Sequence, residues 1–480
     1  MGTAKRIYKN TMYLGAAEII SKILQFVVML YAARLLSKEY FGKFSFALSL
    51  SLIAMVLADL GINTLLVREI SRKKGAAGKY FINAFSAKIV LSLITYLIVV
   101  IALNLLGYPS DARKLVYIVW LFTILSTFTE LFYSIFRAFE MMFYDAFLKI
   151  LRMILLTIAS LYILFKGYGV FVFSYSFVVV EIIVLAFAFI IAIRKFIKLD
   201  SMISIIFIKS LVKKALPFGL AFVFGSIYFY IGSVMLSKIR GDEEVAIYSV
   251  AYNIALAIIF IPTVYTNAIY PVLSRYYKES REKLGLLYEK SFKYLYIIGL
   301  PISIGLYLLS ARIIELFYGK TYAGAIIALQ IISWYLFIKF LNFLLGIVLS
   351  STDEQNKRML GQGITAIFNV ALNLILIPRV GYIGAAWSTL FTEVFLFVVY
   401  YWYVSRKLYF YDFRNILIRP LIAVFVMFLF IRFVDFGLFF TIIFSAVIYF
   451  LVLLTLKTFD KRDYQILKNI SADEKLQQNK

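Results

Sequence analysis

Long apolar segments limit what this chain can fold into more than any other feature of its sequence. About fourteen of them follow one another, from residues 12–33 near the start to residues 437–456 near the end. A helix of about 20 apolar residues matches the roughly 30 Å hydrocarbon core of a bilayer. Hydrophobic residues form 63% of the chain, whereas soluble domains contain roughly 45–50%. The sequence therefore predicts an all-α polytopic membrane protein with about fourteen transmembrane helices.

Cysteine and histidine are both absent from the sequence. This composition excludes disulfide bonds, thiolate chemistry and zinc sites built from Cys and His. Any proton handling near neutral pH must use carboxylates or lysines, because histidine is the usual switch residue. We expect no metal site, no catalytic residue and no cofactor, and we keep coupling to H⁺ or Na⁺ open.

Basic residues are concentrated on one side of the predicted membrane. The formal net charge is +24. With the N-terminus inside, 35 of the 50 Lys and Arg residues lie at cytoplasmic ends and loops, and 12 lie outside. The positive-inside rule then places both termini in the cytoplasm of a multi-pass cell-membrane protein. Topology and anionic lipid headgroups explain this charge, so no nucleic-acid partner is predicted.

The sequence repeats itself in two halves. A shift of 204 residues brings Gly15 onto Gly219, and a shift of 212 brings Glu181 onto Glu393. Each half holds six segments, an even number, so both halves enter the membrane in the same orientation, as in transporters that rock two halves around a central site. The predicted units are a six-helix lobe, a cytoplasmic connector, a second six-helix lobe, an added helix pair and a cytoplasmic tail: residues 1–193, 194–213, 214–404, 405–457 and 458–480.

The connector between the lobes carries apolar residues such as Met202, Ile205 and Ile206 among several lysines. This pattern is compatible with an amphipathic segment at the inner membrane surface, and equally with a plain linker. The loops on the outer side are short and leave no room for an extracytoplasmic catalytic domain. The function is therefore expected within the membrane, and the chain is not predicted to be an enzyme.

Charged and polar residues recur at membrane depth. In the first segment Thr11, Gly15, Glu18, Lys22 and Gln25 are spaced by three or four residues, which places them on one helix face. A charge in hydrocarbon costs roughly 2.5–3.5 kcal/mol on insertion scales, so such faces are expected to meet water or a partner. In the first lobe the cations lack an equal number of local carboxylates, which favours an anionic substrate. The predicted substrate-binding cations are Lys22, Lys88, Arg137, Arg152 and Lys339.

Five carboxylates in the same segments are candidates for ion coupling: Glu18, Asp59, Glu130, Glu181 and Glu393. A structural role is the alternative. Glu18 and Lys22 are four residues apart and could neutralise each other. Glu181 and Glu393 occupy equivalent places in the two halves, where one structural role repeated twice explains them as well as ion coupling does.

Other polar residues also have a structural interpretation. Arg137 and Arg152 lie near cytoplasmic ends, from which long side chains can reach the interface. Asn369 and Asn373 are better explained as hydrogen-bond partners between helices than as substrate ligands.

The stretch from Ala33 to Arg72 resembles the opening of the polysaccharide-transporter, or O-antigen flippase, branch of the multidrug/oligosaccharidyl-lipid/polysaccharide exporter superfamily. The similar parts are Ala33-Arg34-Leu35-Leu36, Phe41-Gly42, Asp59-Leu60-Gly61 and Arg68-Glu69. The stretch from Asn369 to Glu393, with an Asn-rich helix, Ile-Pro and Gly-Ala-Ala, resembles the second-lobe pattern of that branch. The resemblance covers about residues 5–405.

This resemblance implies a MATE-like fold in which two six-helix lobes surround a central cavity. It implies a flippase that carries polyprenyl-(pyro)phosphate-linked oligosaccharide from the cytoplasmic to the outer leaflet by alternating access, for surface polysaccharide or glycan assembly. The expected partners are this lipid-linked substrate and membrane lipids, and the protein is expected to be a monomer. A multidrug or cation antiporter of the same superfamily is the main alternative, and a membrane glycosyltransferase or a non-transporting scaffold is less favoured.

Overall fold

The computed structural model describes residues 3–198, 202–408, 414–434 and 436–459. Within these ranges the chain forms helices and no strand. The fifteen helices described are α1 (Thr3–Leu35), α2 (Lys38–Asp59), α3 (Ile62–Arg72), α4 (Ala77–Leu105), α5 (Ser110–Ala138), α6 (Met142–Phe165), α7 (Gly169–Lys195), α8 (Ile205–Arg240), α9 (Asp242–Ile258), α10 (Phe260–Glu279), α11 (Arg281–Tyr318), α12 (Ala325–Ser351), α13 (Gln355–Leu408), α14 (Arg414–Phe433) and α15 (Leu438–Thr455).

Twelve helical stretches of the described chain are long and apolar enough to cross a membrane. The pairs α2–α3 and α9–α10 each form one such stretch. One stretch, Gln355–Lys407, holds two crossings, because Val380 and Gly381 leave helical geometry in the middle of α13. With α14, which is 20 residues long, the bundle has fourteen crossings. The predicted fold class is therefore confirmed.

Two sets of helices pack into separate lobes. In the first lobe, α1 packs on α6, and α5 packs on α2 and α7. In the second lobe, which comprises α8 to α13, α12 packs on α11 and α13, and α13 packs on α8. The last two helices pack on α11, where the hydroxyl of Tyr449 donates a hydrogen bond to the carbonyl of Ile297 at 2.9 Å. The predicted boundaries at residues 193 and 214 stay predictions.

The predicted connector between the lobes overlaps two helices. Helix α7 continues to Lys195 and α8 already begins at Ile205, so the predicted connector 194–213 is helical at both ends. The hydroxyl oxygen of Ser204 accepts a hydrogen bond from the backbone N–H of Phe207 at 3.4 Å and starts α8 as its N-cap. Of the predicted tail 458–480, residues 460–480 lie outside the described residues.

Helix α2 joins the two lobes by packing on both α8 and α9. We call the end of the bundle at which α1 and α4 start the inner end, and the end at which α2 and α5 start the outer end. At the outer end, a Cβ on Gly42 would lie 1.8 Å from the backbone oxygen of Asp242. Toward the inner end, a Cβ on Gly61 would lie 2.6 Å from the backbone nitrogen of Gly219. Both contacts between the lobes therefore require a residue without a side chain.

Candidate functional site

A cavity of about 770 Å³ lies among α1, α2, α3, α5 and α6 of the first lobe, and Phe222 of α8 also lines it. Apolar side chains such as Val28, Leu48 and Phe177 line its outer part. Charged side chains line its middle and inner parts: Glu18, Lys22, Asp59, Arg68, Glu130, Arg137, Lys149 and Arg152. The resemblance implied a central cavity shared by both lobes, whereas this cavity is built almost entirely from the first lobe.

The polar face of α1 supplies one wall. Glu18, Lys22 and Gln25 all line the cavity, as expected for residues spaced by four and three positions along a helix. Lys22 lies ten residues along α1 from Met12, or about 15 Å at 1.5 Å per residue. Its ammonium group is therefore near the middle of the predicted membrane.

A break between α2 and α3 forms the opposite wall. Leu60 (φ 44°) and Gly61 (φ 80°) adopt left-handed conformations, and the carboxylate of Asp59 accepts a hydrogen bond from the N–H of Gly61 at 3.2 Å. The break redirects the chain, so that Asp59 before it and Asn63 and Arg68 after it all line the same cavity.

Lys88 lies behind the wall rather than on the cavity surface, with 0% of its surface exposed. Its Nζ is 2.9 Å from Asp59 Oδ1 and donates to Asn63 Oδ1 at 3.0 Å. It also donates to the carbonyl and the hydroxyl of Thr127 at 2.6 and 2.8 Å. All its donors are directed into the protein, so the geometry makes Lys88 a positioning residue for Asp59 rather than a ligand of a substrate phosphate.

Arg137 bridges two carboxylates at the inner part of the cavity. Its NH2 is 3.1 Å from Glu130 Oε2, and its Nε is 2.6 Å from Asp145 Oδ2. Lys149 lies 3.2 Å from the other oxygen of Asp145. Asp145 is fully buried and pairs with both Arg137 and Lys149, which line the cavity. It therefore fixes the two cations from the side that faces away from the cavity.

Arg152 lines the cavity and is anchored by Glu181 on α7. NH1 of Arg152 is 3.6 Å from Glu181 Oε2, and the hydroxyl of Thr129 donates to Glu181 Oε1 at 2.6 Å. Glu181 is fully buried and does not line the cavity. The geometry gives this candidate for ion coupling an anchoring contact with Arg152.

Lys22 differs from the other cavity cations. Its Nζ donates a long hydrogen bond of 3.5 Å to Gln25 Oε1. Among the residues that the structure describes, no carboxylate lies within 4.0 Å of it, and Glu18 is not close enough to form the ion pair considered from the sequence. Lys22 is therefore the cavity cation most available to an incoming anion.

Lys339 belongs to a separate cluster in the second lobe. Its Nζ lies 3.2 Å from Glu393 Oε2 and 4.5 Å from the ring centroid of Phe229. Nδ2 of Asn342 donates to Glu393 Oε1 at 2.6 Å. Lys339 is 6% exposed and Glu393 is 0% exposed. The structure thus does not bring Lys339 and Glu393 to the cavity that holds Lys22.

The two asparagines of α13 behave as structural partners. Nδ2 of Asn369 donates to the hydroxyl of Thr392 at 2.9 Å, and Nδ2 of Asn373 donates to Oδ1 of Asn369 at 2.9 Å. The first bond joins the two halves of α13 across its break, as the sequence interpretation expected.

Cations outnumber carboxylates on the cavity surface, and further charged groups pair with them from behind. Five cations and three carboxylates line the cavity. Among the described residues, the groups paired directly behind them are Lys88, Glu69, Asp145 and Glu181, which bring the totals to six cations and six carboxylates. The positive charge that reaches the cavity surface is matched from behind by Asp145 and Glu181, which are fully buried, and by Glu69, whose side chain is 17% exposed.

Two cavity cations, Arg68 and Lys149, were missed in the sequence analysis. A signal for one of them exists, because Asp145, Lys149 and Arg152 are spaced by four and three residues and therefore share a face of α6. Arg68 gave no such signal, since only the break after Asp59 turns it toward the cavity.

Fold and cavity together define a multi-pass membrane protein of two helical lobes, with a charged internal site in the first lobe. The family profile described as "Polysaccharide biosynthesis protein" matches residues 7–277, which is more than half of the chain. The chain belongs to this family, and the recognition made from residues 33–72 is confirmed. A second profile, MatE, matches residues 217–375.

Relatives and solved structures agree with this assignment. The chain is 24% identical over 413 residues to "Capsular polysaccharide biosynthesis protein CapF" of Staphylococcus aureus, which covers 83% of this chain and 99% of that protein. It is similar in fold to a structure described as "Lipid II flippase MurJ, inward closed conformation", with a TM-score of 0.75, 18% identity and coverage of 91% and 97%. An inward-facing multidrug resistance MATE family transporter of the MOP superfamily gives a TM-score of 0.66, 17% identity and coverage of 80% and 95%. The two solved structures are described as a flippase and a transporter.

Proposed function

We propose that this protein is a flippase that moves a polyprenyl-(pyro)phosphate-linked oligosaccharide from the cytoplasmic to the outer leaflet. The family assignment and the names of the relatives support a lipid-linked substrate. The observation that carries the proposal is the cavity of about 770 Å³, which has an apolar outer part, a charged inner part and a lysine, Lys22, that has no carboxylate partner among the described residues.

The size of the cavity suits the headgroup of such a substrate. Ligand sites commonly measure about 300–1,000 Å³, so this one accepts a phosphate or diphosphate with its first sugars. The long polyprenyl tail would stay in the bilayer, and the oligosaccharide would extend toward the aqueous side.

The charged pairs give the phosphate a route into the site. A phosphate entering from the inner end can contact Arg68, Arg137, Lys149 and Arg152 as well as Lys22, because all five line the cavity. Arg side chains can bind it as bidentate donors and Lys side chains as point charges. Each arginine already has a carboxylate partner, so binding there exchanges one anion for another, and every arginine is paired when the site is empty.

The multidrug or cation antiporter is the second candidate. The MatE match over residues 217–375 and the three lining carboxylates, Glu18, Asp59 and Glu130, favour it. Pairing of Asp59 with Lys88 and of Glu130 with Arg137 argues against it, because a cationic drug would have to displace a built-in cation. Coupling to H⁺ or Na⁺ would use Glu18 first, since it lines the cavity with no ion pair among the described residues.

A direct test measures translocation in proteoliposomes that contain lipid-linked oligosaccharide. A glycosidase added outside cleaves only the outward-facing sugar, so the increase in cleavage reports transport. We expect Lys22→Met to reduce transport strongly and Lys22→Arg to retain more of it. Lys166→Met is the matched control, because Lys166 is exposed in the loop after α6.

Normal transport by Lys22→Met, with the protein present at normal level, would refute the proposed phosphate site. Transport of cationic dyes without transport of lipid-linked sugar would favour the antiporter instead. The cytoplasmic position of both termini and the monomeric state are part of the same proposal.

A further inference from the structure

The start of α8 exposes apolar side chains that the fold leaves uncovered. Met202, Ile203, Ile205 and Ile206 are 89%, 59%, 70% and 83% exposed. Helix α8 is 36 residues long, or about 54 Å at 1.5 Å per residue, whereas roughly 20 residues are enough to cross the hydrocarbon core. Crossing the membrane therefore does not explain these four exposed residues, which we call the apolar tip.

The apolar tip is fixed to the first lobe at the depth where α4 enters the membrane. Oδ1 of Asn83 accepts a hydrogen bond from the backbone N–H of Ser204 at 2.8 Å. The ring of Phe207 packs against Tyr80, with 5.1 Å between ring centroids. Tyr80 and Asn83 lie in the first two turns of α4, which starts at Ala77. The tip is thus held beside the inner end of α4, where the hydrocarbon region begins.

The first turns of α8 have two different faces. One face is buried against the first lobe through Leu211, Ala215 and Gly219. The opposite face is exposed at Ile206, Lys209 and later positions, at intervals of three or four residues. An exposed face of isoleucines and lysines is typical of helices that lie in the plane of a membrane surface.

The charges around the tip define which surface it fits. Residues 194–214 contain six Lys and Arg and a single acidic residue, Asp200. Lys198, Lys209 and Lys213 are exposed. Isoleucine and methionine side chains favour the acyl boundary, while lysines favour the phosphates of anionic lipids.

We propose that the start of α8 is an anchor for anionic lipids at the inner membrane surface, in which Met202, Ile203, Ile205 and Ile206 insert into the inner leaflet. Lys198, Lys209 and Lys213 would contact the lipid phosphates around them. This decides between the amphipathic segment and the plain linker that the sequence left open. The anchor does not depend on which substrate the cavity carries.

The absence of native cysteine makes a clean test available. Ile206→Cys in the full chain is labelled with an environment-sensitive fluorophore and reconstituted in nanodiscs, in which both membrane faces are accessible. Lipids that carry a quencher near the headgroup should then quench the label. Glu279→Cys is the matched control, because its side chain is 55% exposed at the inner end of α10.

We expect strong quenching at position 206 and little at position 279. The quenching should increase when phosphatidylglycerol replaces phosphatidylcholine. In the Ile206→Cys chain, Lys209→Gln and Lys213→Gln should each lower the ratio of inserted to free label about fivefold. A label that stays in water in both lipids would overturn the anchor and indicate a protein-docking surface. Equal quenching in both lipids would overturn the preference for anionic lipid.

Discussion

Lys22→Met and Lys339→Met remove the same charge from the membrane, yet the structure predicts different effects on stability. In the second lobe, Nζ of Lys339 is 3.2 Å from Glu393 Oε2, and the carboxylate is fully buried. Removing one partner of a buried ion pair leaves the other charge uncompensated and costs about 3–5 kcal/mol. Lys22 has no described carboxylate partner, so its removal should leave the free energy of unfolding unchanged or slightly higher.

The assay is unfolding of the purified protein in mild detergent, followed by its thermal midpoint and by titration with a denaturing detergent. Glu393→Gln alone should also destabilise the protein, because it leaves Lys339 buried without its counter-charge. The double variant Lys339→Met/Glu393→Gln should recover most of the loss, since neither charge remains.

Equal stability of Lys22→Met and Lys339→Met would refute this reasoning. A double variant whose loss equals the sum of the single losses would also refute it, because the two residues would then act independently.

Three shorter predictions follow from the fold and the site. Tags placed near Pro109 should be accessible from outside the cell and a tag after Lys457 from the cytoplasm; protection of both on the same side would contradict the fourteen-crossing topology. If Glu18 carries the coupling ion, dissipating the proton or sodium gradient should slow transport, and Glu18→Gln should remove that sensitivity; transport that ignores both gradients would leave Glu18 without this role. Gly42→Val should separate α2 from the Asp242 backbone and favour opening of the outer end, measured as faster labelling of a cysteine placed at Phe41; unchanged labelling would show that the contact does not hold the lobes together.

The number of crossings and the repeat were predictable because they depend on hydrophobic length, which the sequence displays directly. The positions at which helices are interrupted were harder to predict. The interruption after Asp59 depends on Gly61 packing against Gly219 from the other half, a contact between residues far apart in sequence. The early start of α8 was missed because its first turns are rich in lysine and lack the continuous apolar run of a crossing.

The sequence could predict the site only where its residues lie on one face of a single helix. The stripe on α1 placed Glu18 and Lys22 on one helix face, and both line the cavity. Lys88 and Lys339 looked equivalent to Lys22 in sequence, and all three were predicted to bind the substrate. They differ in the carboxylate that a neighbouring helix places beside them: Lys88 pairs with Asp59, and Lys339 pairs with Glu393. Helical periodicity gives the direction of a side chain but not the group opposite it.

The equal number of cations and carboxylates in and behind the cavity has a consequence for the membrane voltage. Moving one elementary charge across a potential of 100 mV changes the free energy by about 2.3 kcal/mol. An empty site with six cations and six carboxylates carries no net charge through the field when the lobes rearrange. We therefore expect the rate at which the unloaded protein changes conformation to be insensitive to voltage. Any voltage dependence of the transport cycle should then arise from the charge of the substrate or of a coupled ion.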